Sequence, residues 1–339
     1  MTSDYVNKLN TAIDRLIDST YNKTMDGFAD EFMEIGGAPQ LDLGPPHKTH
    51  VKDDSPIRPF LRDLTNRMFD HWRQLPEPQG IRDLSAKTKT ARDKLCTTDA
   101  LKMEDAAGSV GGGPLIPGYM ADVRQDLSEW RGATTSAVKS KVVNRFPAAL
   151  FLQANTLSVM KLSLDAYAIV IEQAQGDVVD MVNHAAEAVD AIDCWGGDDG
   201  KNAVFNIFTG ALGLVGVFNG IKTAVQLVSA VTSGGAGVAK DVIKLDDPEP
   251  NPLGAGRISG VWSNLMQAEF KLVKKFSASE GHIYDVLNSY YWELENKINI
   301  THGPDNSEYE TDSAANVIRL LAPSGISPGG VKPPLSHTH

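Results

Sequence analysis

Between Leu157 and Ile192 the apolar residues recur at alternating steps of three and four: Leu157, Met160, Leu164, Tyr167, Ile171, Ala174, Val178, Met181, Ala185, Ala188 and Ile192. That is a period of 3.5 residues, held for about five heptads, and it belongs to helices that pack side by side with a left-handed twist. A helix carrying such a stripe must bury it against other helices, so this segment limits the chain to helical-bundle solutions. About 40 residues in this pattern span roughly 60 Å at 1.5 Å per residue. Helical character begins after Gly132, and Pro147 is expected to kink the helix near its start. Ahead of it, Met120, Val123, Leu127 and Trp130 run 3-4-3.

The rest of the chain reads the same way. Tyr5, Leu9, Ala12, Leu16 and Ser19 mark one face of a helix over 4–34, extended by Phe28 and Phe32 and stopped by Gly36-Gly37. Ser55-Pro56 suits a helix start, Ser55 as cap and Pro56 in the first turn, with Leu61, Leu64, Met68, Trp72 and Leu75 on its apolar face. Residues 81–107 are charged and predict a solvated helix. A last helical region covers 257–299, with Val261, Leu265, Ile283, Leu287, Leu294 and Ile298 as its apolar positions. Convincing period-2 strands are absent. The expectation is an all-α fold, an elongated helical bundle built on a long antiparallel helical hairpin. Its organisation reads as N-terminal helices over 1–107, a flexible Gly/Pro break at 108–118, the hairpin at 119–192, an apolar Gly/Ala-rich helical segment at 203–245, C-terminal helices at 257–299, and a disordered tail at 303–339.

Charge and motifs narrow the function. Asp+Glu number 43 against 32 Lys+Arg, a net −11, which works against nucleic-acid binding because phosphates are repelled. Gly111-Gly-Gly-Pro114 is followed by no Gly-Lys-Ser/Thr and is not a phosphate loop. His47 and His50, and His337 and His339, lack carboxylate or thiolate company for a metal. The carboxylates of Asp193–Asp199 miss the calcium-loop spacing. His184 reads as a polar-face residue of the long helix. No nucleophile-elbow or zinc-hydrolase motif occurs, so neither enzyme activity nor a cofactor is expected. Cys96 and Cys194 could pair or stay free. Met1-Thr-Ser-Asp-Tyr-Val6 lacks the basic start of a secretory signal, so any export is expected by another route.

Trp130-Arg131-Gly132 joins two apolar-periodic segments. A tryptophan can close the end of a bundle, and Gly132 permits the reversal. This placement resembles the WxG helical-hairpin superfamily of type VII (ESX) secretion substrates, over roughly Gly118 to Ile192, and the larger layout is similar to the longer Esp-type substrates. The resemblance implies a turn motif at Trp130 and Gly132, with Trp130 buried between helices. It also implies partners in the secretion machinery, homo- or hetero-oligomers through helical faces, and a protein cytoplasmic before export and then secreted or at the cell surface. The segment ahead of Trp130 is shorter than that family's first helix. The family's export signal, Y-x-x-x-D/E, is met by Tyr291 and Glu295, about 160 residues beyond Trp130. A core role for Tyr291 stays open, since Leu287, Tyr291, Leu294 and Ile298 share a stripe. Trp195-Gly-Gly197 reads as a helix end.

Residues 203–221 carry no charge, and Gly210, Gly213, Gly216 and Gly220 would allow close helix approach. Packing of 203–231 in the protein interior is the expectation. The alternatives are a membrane-active, pore-forming-like protein that releases this hairpin, and a helical structural or assembly protein.

Overall fold

The computed structural model describes residues 4–43, 51–95, 104–105, 108–109, 122–123, 125–139, 146–192, 204–207 and 249–300. Its fold is all-α. The helices are α1 (Asp4–Lys23), α2 (Ala29–Met33), α3 (Ile57–Phe69), α4 (Pro78–Leu95), α5 (Ala133–Val138), α6 (Phe146–Asp190) and α7 (Ile258–Ile300). Two short antiparallel ladders join them. β1 (Glu104–Asp105) pairs with β2 (Gly108–Ser109), and β3 (Val204–Ile207) pairs with β4 (Glu249–Pro252). The chain forms two compact units. The first takes 1–87, 160–223 and 237–287, and the second 88–159, 224–236 and 288–339.

In the first unit, α1 buries Tyr5, Leu9, Ala12, Ile13, Leu16 and Ile17, the face its periodicity marks. The helix does not run unbroken to residue 34. A wide π-type turn at Thr24–Phe28 interrupts it, with Gly27 at φ 115°, a conformation that disfavours any side chain. The break re-aims the chain so that Phe32 is fully buried in α2. Gly37, at φ 81°, ends this stretch as expected. The cap position of α3 is Pro56 rather than Ser55 and has no side-chain cap bond; just ahead of it the Ser55 N–H donates to Asp53 Oδ1 at 2.9 Å in an Asx turn. Ile57, Leu61, Leu64 and Phe69 line the core side of α3, and Trp72 follows in a 3-10 turn, fully buried.

The long periodic segment forms α6. Its heptad positions from Ile171 to Ile192 are all buried, together with Val170, Val182, Ala186 and Val189, a face wider than a two-helix seam. Further toward the N-terminus the stripe rotates: Met160 is exposed while Lys161, Leu162 and Ser163 are buried. Pro147 is the second residue of α6, in the first turn, where no intrahelical partner for its missing N–H is needed, and not at an interior kink. Both α4 and α7 run antiparallel along α6: Arg82 meets Glu172 and Ser85 meets Asp165, while Glu280 meets Tyr167 and Tyr290 meets Thr156. Its contacts in the first unit are with α1, α4 and α7. Lys23 Nζ donates to the Ile192 carbonyl at 2.6 Å, and Ser85 Oγ donates to Asp165 Oδ1 at 2.5 Å. Tyr167 hydrogen-bonds Glu280.

The C-terminal helix begins one residue after the expected start and runs to residue 300. Glu31 Oε2 accepts the Ile258 N–H at 2.9 Å, and Glu34 accepts from Ser259 Oγ at 3.0 Å and pairs with Arg257 at 3.3 Å. Two carboxylates thus meet the positive end of the helix. Val261, Trp262, Leu265, Ala268, Leu272, Phe276 and Ile283 form its core face. Both buried indoles are satisfied: Trp262 Nε1 donates to Thr20 Oγ1 and Trp72 Nε1 to Glu269 Oε1, each at 3.2 Å.

Two sequence expectations need correction here. The charged segment 81–107 is not a simple solvated helix. In α4 a stripe of polar residues, Ser85, Thr88 and Arg92, is buried. In the first unit Lys161, also buried, pairs with Asp165 at 2.9 Å beside the Ser85 bond. In the second unit Arg92 donates from Nε and Nη2 to Asp93 Oδ1 at 3.1 and 2.9 Å, and from Nη1 to Ser158 Oγ at 3.5 Å. Nor is 203–245 helical throughout, since 204–207 is a strand. Val, Phe and Ile are good strand formers, and a short apolar run fits either element. Its partner includes Pro250 and Pro252, tolerated because each strand of a two-stranded ladder has a free edge.

Two glycine substitutions should separate close packing from mere helix propensity. A Cβ built on Gly260 would stand 2.6 Å from Ala255 Cβ, whereas one on Gly176 meets nothing within 4 Å. Gly260→Ala should lower stability by about 1–2 kcal/mol, and Gly176→Ala should raise it by about 0.5–1 kcal/mol, both read from urea midpoints.

A pH effect follows from the Tyr167–Glu280 contact. Burial pushes the Glu280 carboxyl above its usual range, the Tyr167 bond opposing it, and burial with the nearby carboxylate pushes Tyr167 up to about 12. The folded state therefore holds the Glu280 proton more tightly than the unfolded state. Its contribution is fully present below the unfolded pKa and is lost as pH rises through the raised folded value. Glu280→Gln, which keeps a hydrogen-bonding side chain, should accordingly gain stability over the parent as pH rises from 4 to 7. Thermal melts across that range check it.

Candidate functional site

The residues singled out from sequence for recognition lie in the second unit, at Trp130–Gly132 and near the end of α7. Successive helical side chains turn by about 100°, so Tyr290, Tyr291 and Trp292 cannot all face inward. Tyr290 is the buried one, at 4% exposure, and its hydroxyl lies 3.0 Å from Thr156 Oγ1. Burial pushes that hydroxyl up to about 12, against the opposing effect of Thr156. Tyr291 and Trp292 face outward, 38% and 54% exposed, with their rings edge to face at 6.0 Å. Tyr291 is therefore not a core residue. The sequence stripe through Leu287, Tyr291 and Leu294 is one residue out of register with the stripe the structure buries, Ile283 and Tyr290, seven apart. Glu295 lies on the same helix, four residues beyond Tyr291.

At Trp130 the structure both meets and corrects the expectation. Residues 125–128 are helical, the chain opens at 129–132, and α5 begins at Ala133. Gly132 has φ 119° and ψ 169°, a region that only glycine enters freely, so the break is built into the sequence. Trp130, however, is 64% exposed rather than buried between helices. Its N–H closes a turn on the Leu127 carbonyl at 3.2 Å.

Of 203–231, only 204–207 is described. Gly210, Gly213, Gly216 and Gly220 lie outside the described residues, as do Cys96, Cys194, His47, His50, the Asp193–Asp199 carboxylates and the segment 303–339. Among the described residues no helix is long and apolar enough to cross a membrane. Nor does any group of three His, Cys, Asp or Glu side chains there stand where it could hold a metal ion. His184 is partly exposed on α6, with Nδ1 2.7 Å from the Asp180 carbonyl. In the first unit Lys161 and Ser85 are buried against Asp165, and in the second Arg92 is buried against Asp93 and Ser158. They escaped notice because polar residues at helical spacing look like a solvated face when only hydrophobicity is followed.

No family model, curated protein or solved structure matches this chain.

Exposure and burial at these positions predict contrasting stability effects. Trp130→Ala should change stability by less than about 0.5 kcal/mol. Tyr290→Phe, which removes the hydroxyl that meets Thr156 Oγ1, should cost about 1 kcal/mol. Paired denaturation curves measure both.

Proposed function

We propose that this chain is a helical, non-enzymatic protein of the type VII (ESX) secretion-substrate kind, acting through protein–protein binding. It would be cytoplasmic before export and then secreted or held at the cell surface. The observation that carries this reading is the outward-facing Tyr291 and Trp292 near the end of α7, with Glu295 one helical turn beyond Tyr291. Tyrosine and tryptophan are the residue types that most often anchor protein interfaces, and a carboxylate at four-residue spacing adds a directional polar contact. Trp130, exposed beside a glycine-dependent break, adds support of the same kind: its ring is available to a helix supplied by another chain. No observation favours the membrane-active alternative among the described residues.

The test is export of the full chain from a bacterium with a type VII system. The double variant Tyr291→Ala/Glu295→Ala should lower the secreted fraction by about tenfold or more, the scale of a binding hot spot. The helical circular-dichroism signal of the purified variant should not change. Undiminished export of the folded variant would overturn the reading.

A further inference from the structure

In the first unit, the side of α7 opposite its core face carries a second chemical surface. Met266, Phe270, Lys271, Lys274 and Lys275 line a shallow groove there, ending at Ala278. Phe270 is 65% exposed, although Ala268 and Leu272 on either side are buried. An exposed phenylalanine sharing a groove with three lysines is unusual on a chain of net charge −11. The lysine stems can lie along apolar surface while their charges stay in water. The groove therefore suits a segment that brings carboxylates and one aromatic ring.

The sequence contains such a segment. Asp305-Asn-Ser-Glu308-Tyr-Glu310-Thr-Asp312 carries four carboxylates around a central tyrosine. Its tyrosine does not reach the phenylalanine of its own copy. Phe270 stands about 45 Å before Ile300 along α7, at 1.5 Å per residue. Tyr309, nine residues past the helix end, extends at most about 32 Å. We propose that the basic, aromatic face of α7 receives the acidic run Asp305–Asp312 of a second copy of the chain. Tyr309 lies against Phe270, and the carboxylates pair with Lys271, Lys274 and Lys275. Repulsion between two acidic copies is screened beyond about 8 Å at physiological salt, so the local pairing of unlike charges decides the contact. An anionic membrane is the less suitable occupant. The core face of α7 is already committed, and Met266 and Phe270 alone give little apolar surface to insert.

The test mixes full-length chains of natural and 15N isotopic composition, couples contacting amines and carboxylates with a zero-length carbodiimide, and reads the products by mass spectrometry. Mixed-isotope links should join Lys271, Lys274 or Lys275 to Asp305, Glu308, Glu310 or Asp312. The Lys271 links, whose amine is kept, should fall about fivefold in Lys274→Glu/Lys275→Glu, and all the links should fall about fivefold in about 0.5 M NaCl. Phe270→Ala should lower them as well. The parent chain alone decides the matter even if a variant folds poorly. Absence of these links, links within single copies only, or links undiminished in the folded lysine variant would overturn the proposal. So would flotation of the parent chain with phosphatidylserine–phosphatidylcholine vesicles that is lost in that variant.

Discussion

Burial of the small-residue face of α6 is the constraint on which the first unit depends. Ala174, Ala185, Ala186 and Ala188 alternate there with Ile171, Val178, Met181 and Val182, all inaccessible. Alanine at every second or third contact lets neighbouring helices approach closely, and the larger residues between them fix the register. Bulk is then supplied from elsewhere. Phe32, Phe69, Trp72, Trp262 and Phe276 come from the other elements of the unit, and the Trp72 and Phe276 rings meet nearly edge to face at 5.7 Å. Small on one side and large on the other gives a core that fills without strain.

A polar layer complements this apolar one. Lys161 and Asp165 lie one turn apart on α6, and Ser85 reaches Asp165 from α4. Removing such groups from water is costly, and the return comes only when each finds its partner in the right geometry. A one-turn slip of α4 along α6 would leave Lys161–Asp165 intact but take Ser85 away and bury it unpaired. The layer therefore selects a register that packing of smooth apolar faces would leave loosely defined. Lys23 does comparable work at the other end of α6, where its ammonium meets the Ile192 carbonyl.

What could be read from sequence follows from which physical signal each element emits. The α1 face, the stop at Gly37, the second half of α6 and the extent of α7 come from hydrophobic period and glycine chemistry, and these were legible. The first half of α6 was not. There the buried residues include Lys161 and Ser163 while Met160 is exposed, so apolarity and burial part company. The stripe of α4 is hidden for the same reason. Gly27 broke α1 through backbone angles that the flanking apolar pattern does not announce. At the end of α7, the choice between Tyr290 and Tyr291 turned on one residue of register, which needs Thr156 opposite to resolve it. Trp130 marks a further limit. A ring large enough to close a bundle is equally suited to standing exposed, and the tripeptide alone does not distinguish the two.

The buried residues and the exposed aromatic residues of α7 occupy different faces of the helix. The positions of α7 that carry its packing, Val261, Trp262, Leu265, Leu272, Phe276, Ile283 and Tyr290, leave Phe270, Tyr284, Tyr291 and Trp292 facing outward. Four large aromatic residues exposed on a single helix are difficult to explain by stability, since in water they contribute little to the fold and add a tendency to associate. Their conformational cost is already met by the helix that holds them, so a partner would gain their contact area with little further ordering. A helix held by its buried face and left aromatic on the other therefore offers a partner contact area at little ordering cost. That physical asymmetry, more than any single motif, is what supports the binding role proposed above.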